Sequence, residues 1–250
     1  MSTLSTYALR LGDDALVLSH RLGQWTSRAP DLEEDIALTN IGLDLLGQAR
    51  SLLTYAGEVE GLDRDEDDLA YLRSEREFVN CQLVEQPNDD YAVTMARQLF
   101  FSGYQLLLCQ GLQSSSDETL AAIAAKAHKE VIYHLDHAEL WTVRLGDGTE
   151  ESHRRMQRGI DRMWPYTFEL FEVDETVNRL VAQGVAVDVQ KVHPQWRERL
   201  QSVVSQAGLT LPEDVTWRPS GGRQGLHTEA LGHMLAEMQN LHRAHPGVVW

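Results

Sequence analysis

The chain of 250 residues is 42% hydrophobic and 24% charged, with 7 prolines and 18 glycines, which excludes collagenous, disordered and proline-rich classes and supplies enough apolar side chains for a sizeable core. The 22 Lys and Arg against 38 Asp and Glu set a net charge of -16, which repels phosphate backbones and anionic lipid headgroups and argues against nucleic-acid binding as the main task. Cys81 and Cys109 lack metal-type spacing, no apolar run approaches the roughly 20 residues that span a bilayer, and Met1 to Asp14 has neither region of a signal peptide, so a cytoplasmic chain without a membrane segment is expected.

Apolar residues at three- and four-residue spacing through Leu9, Leu16, Val17, Leu22 and Trp25 predict a first helix of about five turns, stopped by Ala29 and Pro30. Asp31 then caps a second helix, with Glu34 three residues on in a capping-box pattern, and this helix runs to about Gly57. An exposed acidic connection from Glu60 to Asp68 leads into a short helix from Leu69 to Leu83, closed by Gln86, Pro87 and Asn88. From Asp89 a third long helix carries Met95, Leu99, Phe100, Tyr104, Leu107 and Leu108. Ser114, Ser115 and Ser116 form a hinge before a fourth helix from Asp117 to Leu145, which Gly146, Asp147 and Gly148 end.

Thr149 is placed to cap a fifth helix from Glu150 to Phe171, which Pro165 either kinks or splits. The stretch from Val173 to Leu211 reads as two shorter helices around a turn near Val185 to Asp188. Pro212 to Gly225 is irregular, and a final helix covers Leu226 to His242. With no sustained strand alternation, no repeat and no low-complexity linker, the pattern predicts one all-α domain over residues 1–250, built on antiparallel long helices.

The second helix is apolar on nearly every side from Ile36 to Leu53, which predicts a central, buried helix, and on it Asn40, Asp44 and Gln48 stand four apart. A buried carboxylate at Asp44 needs a cation, a metal or hydrogen bonds. On the fourth helix Glu130 and His134 share one face, with His128, Asp136, His137 and Glu139 nearby. Carboxylates and imidazoles facing into a bundle suggest a di-metal site, which takes a Glu from each of two helices and a Glu-x-x-His from each of two more.

That motif occurs once, from Glu150 to His153, in a first helical turn where acids favour the helix dipole without a metal. Gly47 stands where an imidazole should follow Asp44, and Gln98, Ser102 and Gln105 stand where an inward Glu is required. A two-metal site needs about six protein ligands, mostly anionic, and two or three are supplied. The expectation is therefore no metal, no cofactor and no catalytic residue. Asp44, Glu130 and His134 form instead a vestigial buried polar cluster, neutralised by a cation such as Arg50 or Lys126, and His137 lies at the surface.

Gly221, Gly222 and Gly225 beside Arg218 and Arg223 offer amides to a phosphate, but the phosphate-loop Lys followed by Ser or Thr is absent and a docking turn is the preferred reading. No Gly-x-Ser-x-Gly elbow occurs, and Cys109 has no activating context. Phe100, Phe101, Tyr104, Trp141, Trp164, Tyr166, Phe168 and Phe171 are expected to pack the core.

Five long segments carry a family resemblance: YALRLGDDALVLSHRLGQW from Tyr7, DIALTNIGLDLLGQARSLL from Asp35, LVEQPNDDYAVTMARQ from Leu83, AKAHKEVIYHLDHAELWTVRLGDGT from Ala125 and GLHTEALGHMLAEMQNLHRAHPG from Gly225. The chain resembles the structural, non-catalytic subunits of bacterial phenylacetyl-CoA oxygenases (ring 1,2-epoxidases), the PaaC type. The resemblance implies a ferritin-like four-helix bundle with additional C-terminal helices. It also implies a related di-iron catalytic subunit as partner, a small bridging subunit, and an NADPH-dependent flavin and iron-sulfur reductase acting through the complex. The reaction so implied inserts one oxygen atom of O2 into the aromatic ring of phenylacetyl-CoA during aerobic phenylacetate breakdown. Two other readings stand beside it: a self-sufficient di-metal carboxylate oxidase using Asp44, Glu130, His134 and His137, and a ferritin-like scaffold unrelated to oxygenases.

Overall fold

A computed structural model of the chain describes residues 2–213 and 215–248; Met1, Val249, Trp250 and Asp214, the last within the segment expected to be irregular, lie outside the described residues. In chain order the helices are α1 (Thr3–Gly23), α2 (Leu32–Glu60), α3 (Glu66–Tyr71), α4 (Gln82–Glu85), α5 (Tyr91–Leu112), α6 (Glu118–Gly146), α7 (Glu150–Met163), α8 (Glu175–Ala182), α9 (Val189–Gln206) and α10 (Glu229–Ala244). There is no strand among the described residues, so the fold is all-α as the sequence implies. The chain divides into two compact units, one made of the residues up to Pro87 together with those from Gly221 on, the other of Asn88–Ser220.

In the first unit α1 and α2 form a long antiparallel pair. Ser2 accepts from the Ser5 amide at 3.1 Å and Asp31 from the Glu34 amide at 2.9 Å, each satisfying a donor that a first helical turn leaves without a partner. The Ser5 hydroxyl, near the start of α1, donates to the Ala56 carbonyl near the end of α2 at 3.0 Å. At Gly12 an added Cβ would come within 2.9 Å of the Leu53 side chain, so this residue sets how closely the two helices approach. α1 stops at Gly23, short of the expected Ala29, because glycine holds a helix weakly and the chain turns through Ser27 at φ 65°.

The helix expected from Leu69 to Leu83 is instead α3 and α4, separated by a 3-10 turn at Glu75–Glu77. The reason is long-range. The amides of Val79 and Cys81 donate to Asp13 and Asp14 of α1 at 2.9 and 2.7 Å rather than to carbonyls one turn back. α2 also departs from expectation, since its apolar content covers two faces: Leu38, Ile41, Leu45 and Ala49 are buried, whereas Ile36, Leu43 and Leu46 point to solvent.

The helix buried on nearly every side is α5, in the second unit, because α6, α7 and α9 pack around it. α5 and α6 are joined by the short connection Gln113–Asp117 and lie side by side. α7 approaches α5 through Gly159, where a Cβ would meet the Ala92 carbonyl at 2.8 Å. Pro165 splits the fifth expected helix: α7 ends at Met163 and a 3-10 stretch runs over Trp164–Phe171. Trp164 stacks on Trp196 with centroids 5.6 Å apart and meets Phe100 edge-on at 5.4 Å, while the Trp196 indole N–H donates to the Phe100 carbonyl at 3.0 Å. Of the aromatic residues expected in the core, Phe100, Phe101, Tyr104 and Trp164 are buried, and Trp141, Tyr166, Phe168 and Phe171 are half-buried.

Candidate functional site

α6 places Glu130 and His134 one turn apart, with His137 three residues further on. His134 and His137 are buried and Glu130 is half-buried. The surface position expected for His137 is thus corrected: it follows the spacing of Glu130 and His134 onto the covered side of α6, where its ring lies 6.2 Å from that of Tyr133. Lys126, itself largely exposed, holds its ammonium 3.9 Å from the Glu130 carboxylate.

Across from α6, α5 supplies the buried side chains of Gln98, Ser102, Gln105 and Cys109. Burial, aided by the Glu130 charge, pushes the Cys109 thiol up to about 12, so it stays protonated and is no nucleophile.

Asp44 lies on α2 in the first unit and is half-buried, since the outward turn of Leu43 carries it partway into solvent. Arg50, considered as its counter-ion, pairs with Glu66 at 3.0 Å. In the sole Glu-x-x-His motif Glu150 is exposed and His153 Nδ1 lies 2.7 Å from the Gly146 carbonyl, so the imidazole serves the end of α6. Among the described residues no group of three or more His, Cys, Asp or Glu is disposed to hold a metal ion. A two-metal carboxylate centre takes about six ligands, mostly anionic. α5 and α6 offer one carboxylate and two imidazoles, opposed by amides, a hydroxyl and a neutral thiol, and this donor set does not fit such a centre.

The densest buried charge lies elsewhere, in the first unit. Asp13 is paired with both terminal nitrogens of Arg73, whose guanidinium sits 4.2 Å over the Phe78 ring. Asp14 accepts from both terminal nitrogens of Arg223 at 2.9 and 2.7 Å. Burial lifts its carboxyl above the ordinary value of 3.8 against the pull of Arg223 and of the Cys81 amide. Glu85 accepts from Asn80 at 2.8 Å and from the Thr228 amide at 2.6 Å, and lies 2.8 Å from His227 Nδ1. His227 Nε2 is 2.8 Å from the Phe78 carbonyl, so both ring nitrogens face acceptors, which fits an imidazolium.

These contacts decide the glycine-rich turn. The N-terminus of α10, which sequence alone offers to a phosphate, is met by the chain's own Glu85. Arg223 is committed to Asp14, and Arg76 donates to the Gly225 carbonyl at 3.2 Å. Gly225 has φ 75° and a Cβ there would meet the Arg76 carbonyl at 2.2 Å, so only glycine fits. Arg218, in the second unit, lies 4.0 Å over the Phe168 ring. The turn docks on its own unit, as preferred.

Sequence reasoning missed Asp13 and Asp14. Two adjacent acids inside the apolar stretch from Leu9 to Leu18 carry the same signal that singled out Asp44, and a search for every charge within an apolar helix finds them.

No helix among the described residues is long and apolar enough to cross a membrane. The family model described as "Phenylacetic acid catabolic protein" matches residues 1–250. Over 250 residues, the whole of both chains, the sequence is 50% identical to the C subunit of the 1,2-phenylacetyl-CoA epoxidase of Escherichia coli (strain K12).

Proposed function

The chain belongs to the phenylacetic acid catabolic protein family, and we propose that it is the structural, non-catalytic subunit of a multicomponent phenylacetyl-CoA epoxidase. It is a ferritin-like, all-α protein, and in this reading the whole chain acts as one ferritin-like domain in the cytoplasm. It pairs with a related subunit that carries the di-iron centre. A small bridging subunit joins the assembly, and an NADPH-dependent reductase supplies electrons to the catalytic partner. Neither nucleic acid nor a membrane takes part.

The observation that carries the reading is the donor set between α5 and α6. Glu130 is the one carboxylate of the set, and the buried neighbours from α5 are Gln98, Ser102, Gln105 and a thiol held protonated. Neutral amides and hydroxyls do not balance the charge of two metal ions. Glu130 and His134 on α6 are then the vestige of a ligand set, and Asp44, expected with them, is instead a half-buried acid of α2 in the first unit and is not counted in that set. The strongly paired acids of the chain, Asp13, Asp14 and Glu85, fasten segments of the first unit.

Metal analysis and turnover test this together. The purified chain should hold iron and manganese far below stoichiometry, and with reductase, NADPH and phenylacetyl-CoA it should form no epoxide until the catalytic relative is added. About two tightly held metal ions per chain, or turnover by the lone chain, overturns the proposal.

A further inference from the structure

α2 shows solvent a face that a lone helix in water would fill with polar groups. Leu32, Ile36, Leu43 and Leu46 are 71%, 53%, 59% and 43% exposed. With Thr39 between them and Arg50 beyond, these positions advance along the helix in alternating steps of four and three. Such steps make the seam along which one helix lies on another at a shallow angle. At Gly47 an added Cβ would meet nothing within 4 Å, so the backbone beside Leu43 and Leu46 is open to close approach. The seam runs on into a groove of about 320 Å³, floored by Leu16, Ala49 and Leu53 and rimmed by Glu66 and Tyr71. An apolar surface of this regularity marks an interaction site.

Charge chooses the occupant. Glu33 and Asp35 flank the start of the seam, Asp44 lies beside its middle and Asp67 stands at its far end, where Arg50 and Glu66 pair with each other. A second copy would bring another chain of net charge -16 against the first, which like-charge repulsion disfavours. We propose that this face docks an amphipathic helix of a different subunit of the same oxygenase, one whose apolar residues follow the same four-and-three steps and whose flanks carry Lys or Arg. The inference deepens the structural-subunit reading and rests on it.

The test co-expresses the chain with the other oxygenase subunits and weighs the products by native mass spectrometry. Leu43→Glu combined with Leu46→Glu should weaken assembly by about a hundredfold in Kd, the loss of two moderate anchors. Leu62→Glu, at a residue 65% exposed outside the seam, should assemble as the unaltered chain does. Hydroxyl-radical footprinting of the unaltered complex, which involves no substitution and so no risk to folding, should protect Leu43 and Leu46. If the unaltered chain joins no subunit at all, the structural-subunit reading falls and this proposal with it. If it joins them and neither the double variant nor the footprint changes, the docking face is overturned while that reading survives. A homodimer of the lone chain that the double variant abolishes overturns the choice of occupant. Loss of assembly only on Leu140→Glu, an exposed position of α6, moves the docking site to α6 and overturns the choice of α2.

Discussion

In the first unit, segments distant in sequence are fastened by buried charge: Arg73 and Arg223 to Asp13 and Asp14 of α1, and the start of α10 to Glu85 of α4. In the second unit the equivalent work falls to rings. Phe100, Trp164 and Trp196 pack face and edge with Phe171 and His193 against them, and the ion pairs, such as Arg158–Asp90 and Arg199–Glu139, lie toward solvent. The difference is one of direction. Rings hold neighbouring helices through area and tolerate small rotations. A bidentate guanidinium accepts one geometry, and so it suits the irregular stretch from Arg73 to Cys81, which has few helical hydrogen bonds of its own. Buried pairs are weak evidence for net stability, yet breaking one is costly because the remaining charge stays buried.

Arg73→Ala is the sharpest way to break this comparison. It strands Asp13, which has no exposure, and should destabilise the chain by about 3–5 kcal/mol, read by urea unfolding. Trp196→Phe keeps most of the ring packing but removes the indole donor from the Phe100 carbonyl, and should cost about 1–3 kcal/mol. If the tryptophan change proves the larger, charge is not what holds the first unit.

Much of this architecture is legible in the sequence. The long helices follow from apolar spacing, Asp31 and Thr149 cap where their side chains predict, and Gly146 stops α6 as expected. What sequence hides is long-range. The break between α3 and α4 depends on acids more than sixty positions earlier, and no local pattern near Val79 reports them. α5 carries a single charged residue, Arg97, where α2 carries seven, so the difference in burial between the two is legible in composition, whereas the identity of the three helices that enclose α5 is not. For the site, the shortage of ligands around Glu130 and His134 is visible in the missing motifs. The burial of His137 is legible too, in its three-residue step beyond His134 on the same face, although a surface position was expected for it.

Acid should act in the same sense on one buried imidazole of each unit, which separates proton uptake at these rings from the contrast of rings and charges. His20 in the first unit lies below the ordinary imidazole value of 6.5, through burial and then the neighbouring Arg21. His193 in the second lies below it through burial and then Arg197. As pH falls through 6.5 the unfolded imidazoles take up protons before the folded ones do. Their contribution to stability is therefore full above that value and is lost as pH descends toward the lowered folded values. Between about pH 7 and about pH 5 the loss of denaturant midpoint on acidification should be smaller in His20→Gln and in His193→Gln than in the unaltered chain; a pH dependence left unchanged by both substitutions contradicts the lowered imidazole values.

The smallest effect expected belongs to Arg199, which grips Glu139 of α6 from α9 through two contacts at 2.5 and 3.2 Å. That grip is close, and hydrogen bonding to Glu139 raises the guanidinium above its usual range. Yet the Arg199 side chain is 44% exposed, so water and salt compete for both partners. Arg199→Ala should therefore cost less than about 1 kcal/mol, and the loss should shrink further at about 1 M salt, where the screening length falls to about 3 Å. The same salt should leave the effect of Arg73→Ala nearly unchanged, because no counter-ion reaches Asp13. Measured side by side, the two arginines ask whether burial, rather than contact geometry, is what distinguishes the fastening of the two units; equal salt dependence would answer that it is not.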